Sequence, residues 1–203
     1  MLQIKNISFS YTRESEILKD VSFSVAPGEI VGIFGSSGYG KSTLAKIISG
    51  VLKPSSGEVL VDNKPLSSGG YCPIQLIYQH PEKAVNPKWK MKKIISEGWE
   101  VSHDIQEKME IRERWMSRWP QELSGGELQR FCISRALSPD VKYIVADEIT
   151  TMLDALTQVR IWTKLLNIAK ERNVGIIIVT HNMHLAKKLC DRIIDLEAIN
   201  HTC

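Results

Sequence analysis

A glycine-rich stretch between two apolar segments constrains this chain more than any other feature. The stretch runs from Gly35 to Thr43 and reads GSSGYGKST. An apolar run at 30–34 precedes it, and apolar residues with helical spacing follow it at 44, 47, 48 and 51. This order predicts a strand, a glycine loop and a helix, which is the context in which such a loop binds phosphate. The alternative is an ordinary glycine turn at a helix start, and it is disfavoured because both flanks fit.

The residue types in this loop suit the binding of a triphosphate. Glycines adopt backbone conformations that a Cβ forbids, so successive N–H groups can turn toward one anion at the positive end of a helix. The Lys41 ammonium group can reach the β and γ phosphates, and the Ser42 hydroxyl can bind Mg²⁺. We therefore predict a nucleotide site formed by Gly35, Ser36, Ser37, Gly38, Tyr39, Gly40, Lys41, Ser42 and Thr43.

Length and composition fit one globular domain. The 203 residues are 43% hydrophobic and 24% charged, which is ordinary for a chain with a buried core, and the formal net charge of +3 is too small to indicate nucleic acid. The lysines within 88–93 surround Trp89 and are more typical of a solvated helix start than of a nucleic-acid patch. No apolar run approaches the roughly 20 residues of a membrane helix, so any role at a membrane would be that of a peripheral subunit.

The amino-terminal region predicts a small antiparallel sheet. Residues 2–9 and 17–25 each alternate apolar and polar side chains, as half-buried strands do. Residues 58–61 and 64–66 flank the pair Asp62-Asn63, and both of these residue types tolerate the positive φ of a tight hairpin.

The later part of the chain alternates strands with helices, which predicts a mostly parallel sheet with ligands at the carboxyl ends of its strands. We predict strands at 74–78, 143–146, 175–180 and about 193–196, and helices from about 125 to 137, 156 to 168 and 185 to 189. The segment 81–120 between them contains four of the five tryptophans and predicts a compact helical insert. These tryptophans either fill the core of a small subdomain or form an exposed docking groove for a partner helix.

Polar side chains follow three of the predicted strands. Asp147 could hold Mg²⁺, and Glu148 could polarise an attacking water as a general base. An Asp-Glu pair after a strand is weak evidence by itself, but the phosphate loop earlier in the chain makes it strong evidence for this chemistry. Gln79 could bind the metal or the water, and His181 could contact the γ phosphate and orient the nucleophile. A metal pair of His181 with His184 is disfavoured because no further ligand cluster accompanies it.

These motifs, in this order over nearly the whole chain, resemble those of the ATP-binding cassette ATPases. The signature segment Leu123, Ser124, Gly125, Gly126, Glu127 to Gln129 is highly specific to that family. The other matching segments are Tyr11 for the aromatic residue that stacks on adenine, Gly35 to Thr43 for Walker A, Gln79 for the Q-loop, Val145 to Glu148 for Walker B, Asp154 for the D-loop and His181 for the H-loop.

The resemblance implies an α/β fold, a P-loop NTPase (RecA-like) core with a mostly parallel sheet, an amino-terminal antiparallel β subdomain and a small helical subdomain. Residues 1–203 would form a single nucleotide-binding domain. Within it, 1–80 and 136–203 would form the ATP-binding core with the β subdomain, and 81–135 the helical subdomain that ends in the signature helix.

The resemblance also implies partners. Ser124 and the amides of Gly125 and Gly126 would grip the γ phosphate of ATP bound to a second cassette subunit, either a second copy of this chain or a non-identical one. The two chains would then close head to tail over two ATP molecules with Mg²⁺. Segments 76–81, 86–87 and 53–58 look like those of peptide and nickel uptake cassettes. Such a subunit sits at the cytoplasmic face of the cell membrane on two transmembrane permease subunits fed by an extracytoplasmic solute-binding protein, without nucleic acid.

Several positions depart from the family pattern. Tyr39 stands where a small residue is usual, Ile149 replaces a proline, and Glu127 replaces a glutamine. Against the pattern of importer cassettes, we also expect a shorter helical insert and no carboxyl-terminal extension of the kind common in that group. Two alternatives to an importer subunit remain open: a cassette ATPase of DNA repair or translation, and a docking partner with weak catalysis of its own.

Overall fold

The computed structural model describes residues 1–12, 15–66 and 69–201, and these form two sheets with helices around them. The strands are β1 (Leu2–Thr12), β2 (Ser15–Val25), β3 (Ile30–Phe34), β4 (Ser56–Val61), β5 (Lys64–Pro65), β6 (Ile74–Ile77), β7 (Tyr143–Asp147), β8 (Gly175–Thr180) and β9 (Arg192–Asp195). The helices are α1 (Lys41–Ile48), α2 (Met91–Ile95), α3 (His103–Lys108), α4 (Gly125–Ala136), α5 (Ala155–Glu171), α6 (Met183–Leu189) and α7 (Leu196–Ile199).

The larger sheet has the order β6-β7-β8-β3-β9, and every neighbouring pair in it is parallel. All residues of β7 and β8 are buried, which is typical of parallel strands covered on both faces. Asp147 pairs with Val179 and Phe34 with Thr180, so the carboxyl ends of three central strands lie at one edge. The predicted parallel sheet is confirmed, except that Leu196 begins α7 instead of ending the last strand.

The smaller sheet is antiparallel, with the order β2-β1-β4-β5. Asp62 and Asn63 have φ of 52° and 62° in the turn between β4 and β5, so the predicted hairpin is confirmed. Gly57, the second residue of β4, has φ of 84°, and a Cβ there would lie 2.3 Å from the Asn6 carbonyl oxygen. This position therefore requires glycine so that β4 can approach β1 closely.

Two hydrophobic clusters hold these layers together. One lies between the two sheets and includes Val31 and Ile33 of β3 together with Leu44 and Ile48 of α1. The other joins the opposite face of the parallel sheet to residues 81–136, called the helical segment below, and to α5. Because the second cluster is continuous, the helical segment is anchored to the sheet that carries the site.

The helical segment is built from short elements before α4 begins. Trp115 is buried, and Trp89 and Trp99 are partly buried against the core cluster, whereas Trp119 is 37% exposed. The Trp99 indole N–H also donates a hydrogen bond to the Arg135 carbonyl. Three of the four tryptophans thus contribute to a core, which favours that alternative over an exposed docking groove. Across 1–12, 15–66 and 69–201, no helix is long and apolar enough to cross a bilayer.

Candidate active site

The phosphate loop leaves β3 at the carboxyl edge of the parallel sheet and leads into α1. Gly38 and Gly40 have φ of 91° and 83°, values that favour glycine. A Cβ on Gly40 would lie 2.8 Å from Cγ2 of Ile17, so the loop also packs too closely against β2 for a larger residue. Gly40 precedes α1 without a capping side chain, which leaves the first N–H groups of this helix available to an anion.

Lys41 is folded back over its own loop. Its ammonium group donates hydrogen bonds to the carbonyl oxygens of Gly35 and Ser36, both at 2.8 Å, and the residue is only 6% exposed. The flexible side chain is thus held at the loop, within reach of a phosphate that displaces one of these carbonyl partners.

Ser42 and Asp147 bring two oxygen ligands together. The Ser42 hydroxyl donates to Oδ1 of Asp147 at 3.1 Å. Burial raises the pKa of the Asp147 carboxyl above its usual range, although the hydrogen bond from Ser42 lowers it in part. A hydroxyl and a carboxylate suit Mg²⁺, which commonly takes one or two protein ligands beside substrate phosphates. Within the described ranges, no group of three His, Cys, Asp or Glu residues could hold a metal alone, and this includes the surroundings of His181 and His184.

Glu148 lies between two side chains that follow the ends of the strands flanking β7. Its Oε1 is 2.8 Å from Nδ1 of His181, and its Oε2 accepts a hydrogen bond from the Gln79 amide at 3.3 Å. Glu148 also has φ of 49°, an uncommon conformation for a residue with a long side chain. Contacts from both sides therefore hold this carboxylate in one place, as is required of a catalytic base.

Two further contacts come from residues that the sequence patterns do not single out. Thr151 accepts a hydrogen bond from Gln79 at 3.2 Å and donates one to the Glu148 carbonyl at 3.0 Å. Glu197 accepts a hydrogen bond from the Ser36 amide at 2.8 Å. Nothing in the sequence marks Thr151. Glu197 follows the end of β9, just as Gln79, Asp147 and His181 lie at the ends of their strands, and that position could have identified it. The structure thus pairs the Gln79 nitrogen with Glu148 and Thr151, and not with Ser42 or Asp147.

Tyr11 stands beside the phosphate loop with most of its ring exposed. Its hydroxyl is 3.3 Å from Oγ1 of Thr43, and its ring packs edge-on against Phe9 with centroids 4.8 Å apart. One edge of the ring is therefore fixed while 61% of the residue remains exposed, which leaves a surface for stacking on a base. Tyr39, at the tip of the loop, is also 47% exposed.

The signature residues form a second helix start. Ser124 is the N-cap of α4, and it exchanges capping hydrogen bonds with Glu127, whose carboxylate accepts from the Ser124 N–H at 2.8 Å. Asp154 caps α5 nearby by accepting from the Thr157 N–H at 3.0 Å. Both helix starts line one cavity of about 370 Å³. No residue of the phosphate loop lines this cavity, so within the described parts of the chain the two groups are separate.

Two signature residues lie away from this cavity. Leu123 packs against the hydrophobic core. Gln129 is 1% exposed and donates to the Tyr78 carbonyl at 3.4 Å. Gln129 therefore links α4 to the end of β6, close to Gln79, and its side chain does not face the surface formed by Ser124 and Gly125. Glu127, by contrast, lines the cavity together with its N-cap partner.

A phosphate loop after β3, an acidic pair after β7 and polar side chains after β6 and β8 define a P-loop nucleoside triphosphatase with an added antiparallel sheet and helical segment. Residues 18–151 match the family model described as ABC transporter, which covers more than half of the chain. The chain belongs to the ABC transporter family and is an ATPase of that family.

Individual relatives agree with this assignment. The chain is 30% identical to the nickel import system ATP-binding protein NikE of Staphylococcus aureus, over 97% of this chain and 87% of that protein. It is similar to the solved structure of cbiO1 from Clostridium perfringens, part of the ABC transporter complex cbiONQ, with 27% identity, a TM-score of 0.79 and coverage of 96% and 84%. It is also similar to the cassette MJ0796, solved as a dimer bound to ADP and Pi, with 28% identity, a TM-score of 0.82 and coverage of 96% and 94%.

Proposed function

We propose that this chain is the ATP-hydrolysing subunit of an ABC importer, which powers the uptake of an oligopeptide, nickel or a metal chelate through partner membrane subunits. The observation that carries the catalytic part is the Glu148 carboxylate held between His181 and Gln79, beside the phosphate loop. The import part rests on the similarity to NikE over 97% of this chain.

ATP binding begins at the phosphate loop in this proposal. The exposed face of Tyr11 stacks on the adenine, and the loop amides and the N-terminus of α1 receive the phosphates. Lys41 exchanges the Gly35 and Ser36 carbonyls for the β and γ phosphates. Ser42 and Asp147 are the residues that would hold Mg²⁺, with the Gln79 side-chain oxygen as a further ligand. An ion held by these residues would supply positive charge to the triphosphate.

Hydrolysis is assigned to Glu148 and His181. An ionised carboxylate only accepts hydrogen bonds, so Nδ1 of His181 carries the hydrogen and donates it to Oε1 of Glu148. This leaves Nε2 of the imidazole to contact the γ phosphate or the attacking water. The other carboxylate oxygen takes the proton of that water as general base, while Gln79 ties the same carboxylate to the end of β6.

A second cassette subunit completes the site. The start of α4 presents Ser124, Gly125 and Gly126 on a cavity separate from the phosphate loop, so these groups are free to receive the γ phosphate bound to another chain. Asp154 lines the same cavity and would lie at the junction between the two subunits. Two permease subunits at the cytoplasmic face of the membrane, and a solute-binding protein outside it, complete the proposed assembly.

Reconstitution tests this proposal. The chain is combined in proteoliposomes with the membrane subunits that co-purify with it, and ATP-dependent uptake of Ni²⁺, a nickel chelate and a mixed oligopeptide is measured. We expect uptake of one of these solutes, and none with a matched complex that carries Glu148→Gln. ATP hydrolysis that neither requires membrane subunits nor drives any uptake would contradict the importer and favour a cassette ATPase of DNA repair or translation. Full uptake by the Glu148→Gln complex would mean that the partner cassette performs the catalysis.

A further inference from the structure

A carboxylate from the last helix is hydrogen-bonded to the beginning of the phosphate loop. The Ser36 N–H donates to Oε1 of Glu197 at 2.8 Å, and the Ser36 carbonyl accepts from the Lys41 ammonium group at 2.8 Å. Both sides of the Ser36 residue are therefore engaged, one by α7 and the other by the lysine that is expected to meet the phosphates. The Ser36 amide is directed to Glu197 and not to an anion in the loop.

Glu197 is itself held in place by its neighbours. Its backbone N–H donates to Oδ1 of Asp195 at 3.0 Å, and Leu196 beside it is completely buried. The Ser36 amide holds the pKa of the Glu197 carboxyl below its usual range, so this group is ionised at neutral pH. A charged acceptor on a fixed helix is suited to orienting a peptide group.

The other end of α7 is attached to the strand that packs against the loop. Asn200, which is 8% exposed, accepts from the Lys19 N–H at 2.8 Å and donates to the Ile17 carbonyl at 3.0 Å. Ile17 is the residue against which Gly40 packs. The phosphate loop is thus held at Ser36 by Glu197 and at Gly40 by Ile17, and Asn200 connects these two supports.

We propose that Glu197 is a positioning residue for the phosphate loop: through the Ser36 N–H it fixes the Gly35–Ser36 peptide, whose Gly35 carbonyl accepts a hydrogen bond from Lys41, so that the loop is shaped for the triphosphate before ATP binds. Glu197 does not contact the nucleotide in this account. Without it, part of the binding free energy is used to order the loop, and the affinity for ATP falls. The inference rests on the nucleotide site proposed above.

The test measures ATP affinity by calorimetry and steady-state KM and kcat for the full chain. Glu197→Ala is expected to raise Kd and KM about three- to tenfold, the scale of one lost hydrogen bond, with kcat changed less than about twofold. Glu197→Gln is expected to stay close to the unchanged protein, because its side-chain oxygen still accepts from Ser36. Glu100→Ala, at an exposed site in the helical segment, is the matched control and should change neither constant.

A second variant removes the same hydrogen bond from the other side. Ser36→Pro lacks the donor N–H, so it should weaken ATP binding as Glu197→Ala does, and the double variant should be no weaker than either single one. Unchanged or tighter ATP binding by Glu197→Ala would overturn the proposal, as would an equal loss in Glu197→Gln or additive losses in the double variant. If the unchanged protein bound no ATP, the nucleotide site itself would be wrong, which is a different failure.

Discussion

Nδ1 of His181 lies 2.8 Å from Oε1 of Glu148, and this contact joins the carboxyl ends of β8 and β7, which are adjacent in the parallel sheet. The two residues are 33 positions apart in the chain, and the parallel pairing of the strands brings them together. The orientation of the Glu148 carboxylate therefore depends on the register of the sheet as well as on its local backbone.

His181→Ala should reduce ATP turnover by about 10²-fold with little change in ATP affinity, because in the proposed site the imidazole orients the base while the loop amides and Lys41 supply most contacts to the phosphates. The measurement is steady-state phosphate release together with calorimetric ATP binding. His184→Ala is the matched control, since His184 is exposed three residues away. Equal losses of ATP turnover in the two variants would contradict a specific role for His181 in hydrolysis.

Lys41→Ala should abolish detectable nucleotide binding, because in the proposed site this buried lysine is the loop's cation for the phosphates. Fluorescence titration with a labelled ATP analogue measures this. Lys53→Ala, which removes an exposed lysine after α1, should bind as the unchanged protein does. An unaltered ATP affinity in Lys41→Ala would contradict the assignment of the phosphate loop.

Asp147→Asn should raise the stability of the nucleotide-free protein at neutral pH. Burial raises the pKa of this carboxyl in the folded state, so ionised Asp147 opposes folding once the pH exceeds that pKa. The advantage of Asn should shrink as the pH falls through the folded-state pKa, and it should vanish below the unfolded value of about 3.9. Thermal unfolding across this pH range measures it, with exposed Asp140→Asn as control. A lower Tm for Asp147→Asn at pH 7 would be the contrary result.

Most of the fold could be predicted from local patterns, because these patterns each favour one kind of element. Continuous apolar runs predicted β7 and β8, and the pair Asp62-Asn63 predicted the hairpin through its tolerance of positive φ. The helical segment was less predictable, because its elements are short and the Trp99 side chain is fixed by a contact distant in sequence, its hydrogen bond to the Arg135 carbonyl.

The candidate site, like the fold, could be predicted only in part. The residue types at strand ends identified Asp147, Glu148, Gln79 and His181 as neighbours, since parallel strands bring their ends together. Local patterns could not predict that Gln79 pairs with Thr151, or that Gln129 turns inward to Tyr78, because these contacts depend on side-chain directions set by packing. The contact of Glu197 with Ser36 spans 161 positions and depends on where α7 comes to lie.

Gly175→Ala should destabilise the fold by about 1–3 kcal/mol, the usual cost of overpacking a core. A Cβ at the start of β8 would lie 2.6 Å from two ring atoms of Tyr143 and 3.1 Å from the Ala26 carbonyl. Gly98→Ala is the matched control: its added Cβ meets open space among the described residues, so its free energy of unfolding should change by less than about 0.5 kcal/mol. Urea unfolding compares the two, and equal losses would show that close packing at Tyr143 is not the cause.

The central claim is that one ATP lies between the phosphate loop of one copy of this chain and the start of α4 of a second copy. Glu148→Gln should bind ATP yet hydrolyse it at least about 10²-fold more slowly, so the ATP-bound assembly should accumulate. Size-exclusion chromatography with light scattering, in ATP and Mg²⁺, measures this directly. We predict a dimer for Glu148→Gln and a monomer when Gly126→Asp is added, because a carboxylate at the start of α4 would repel the γ phosphate. A Glu148→Gln chain that stays monomeric while saturated with ATP, or a dimer that survives Gly126→Asp, would contradict the account.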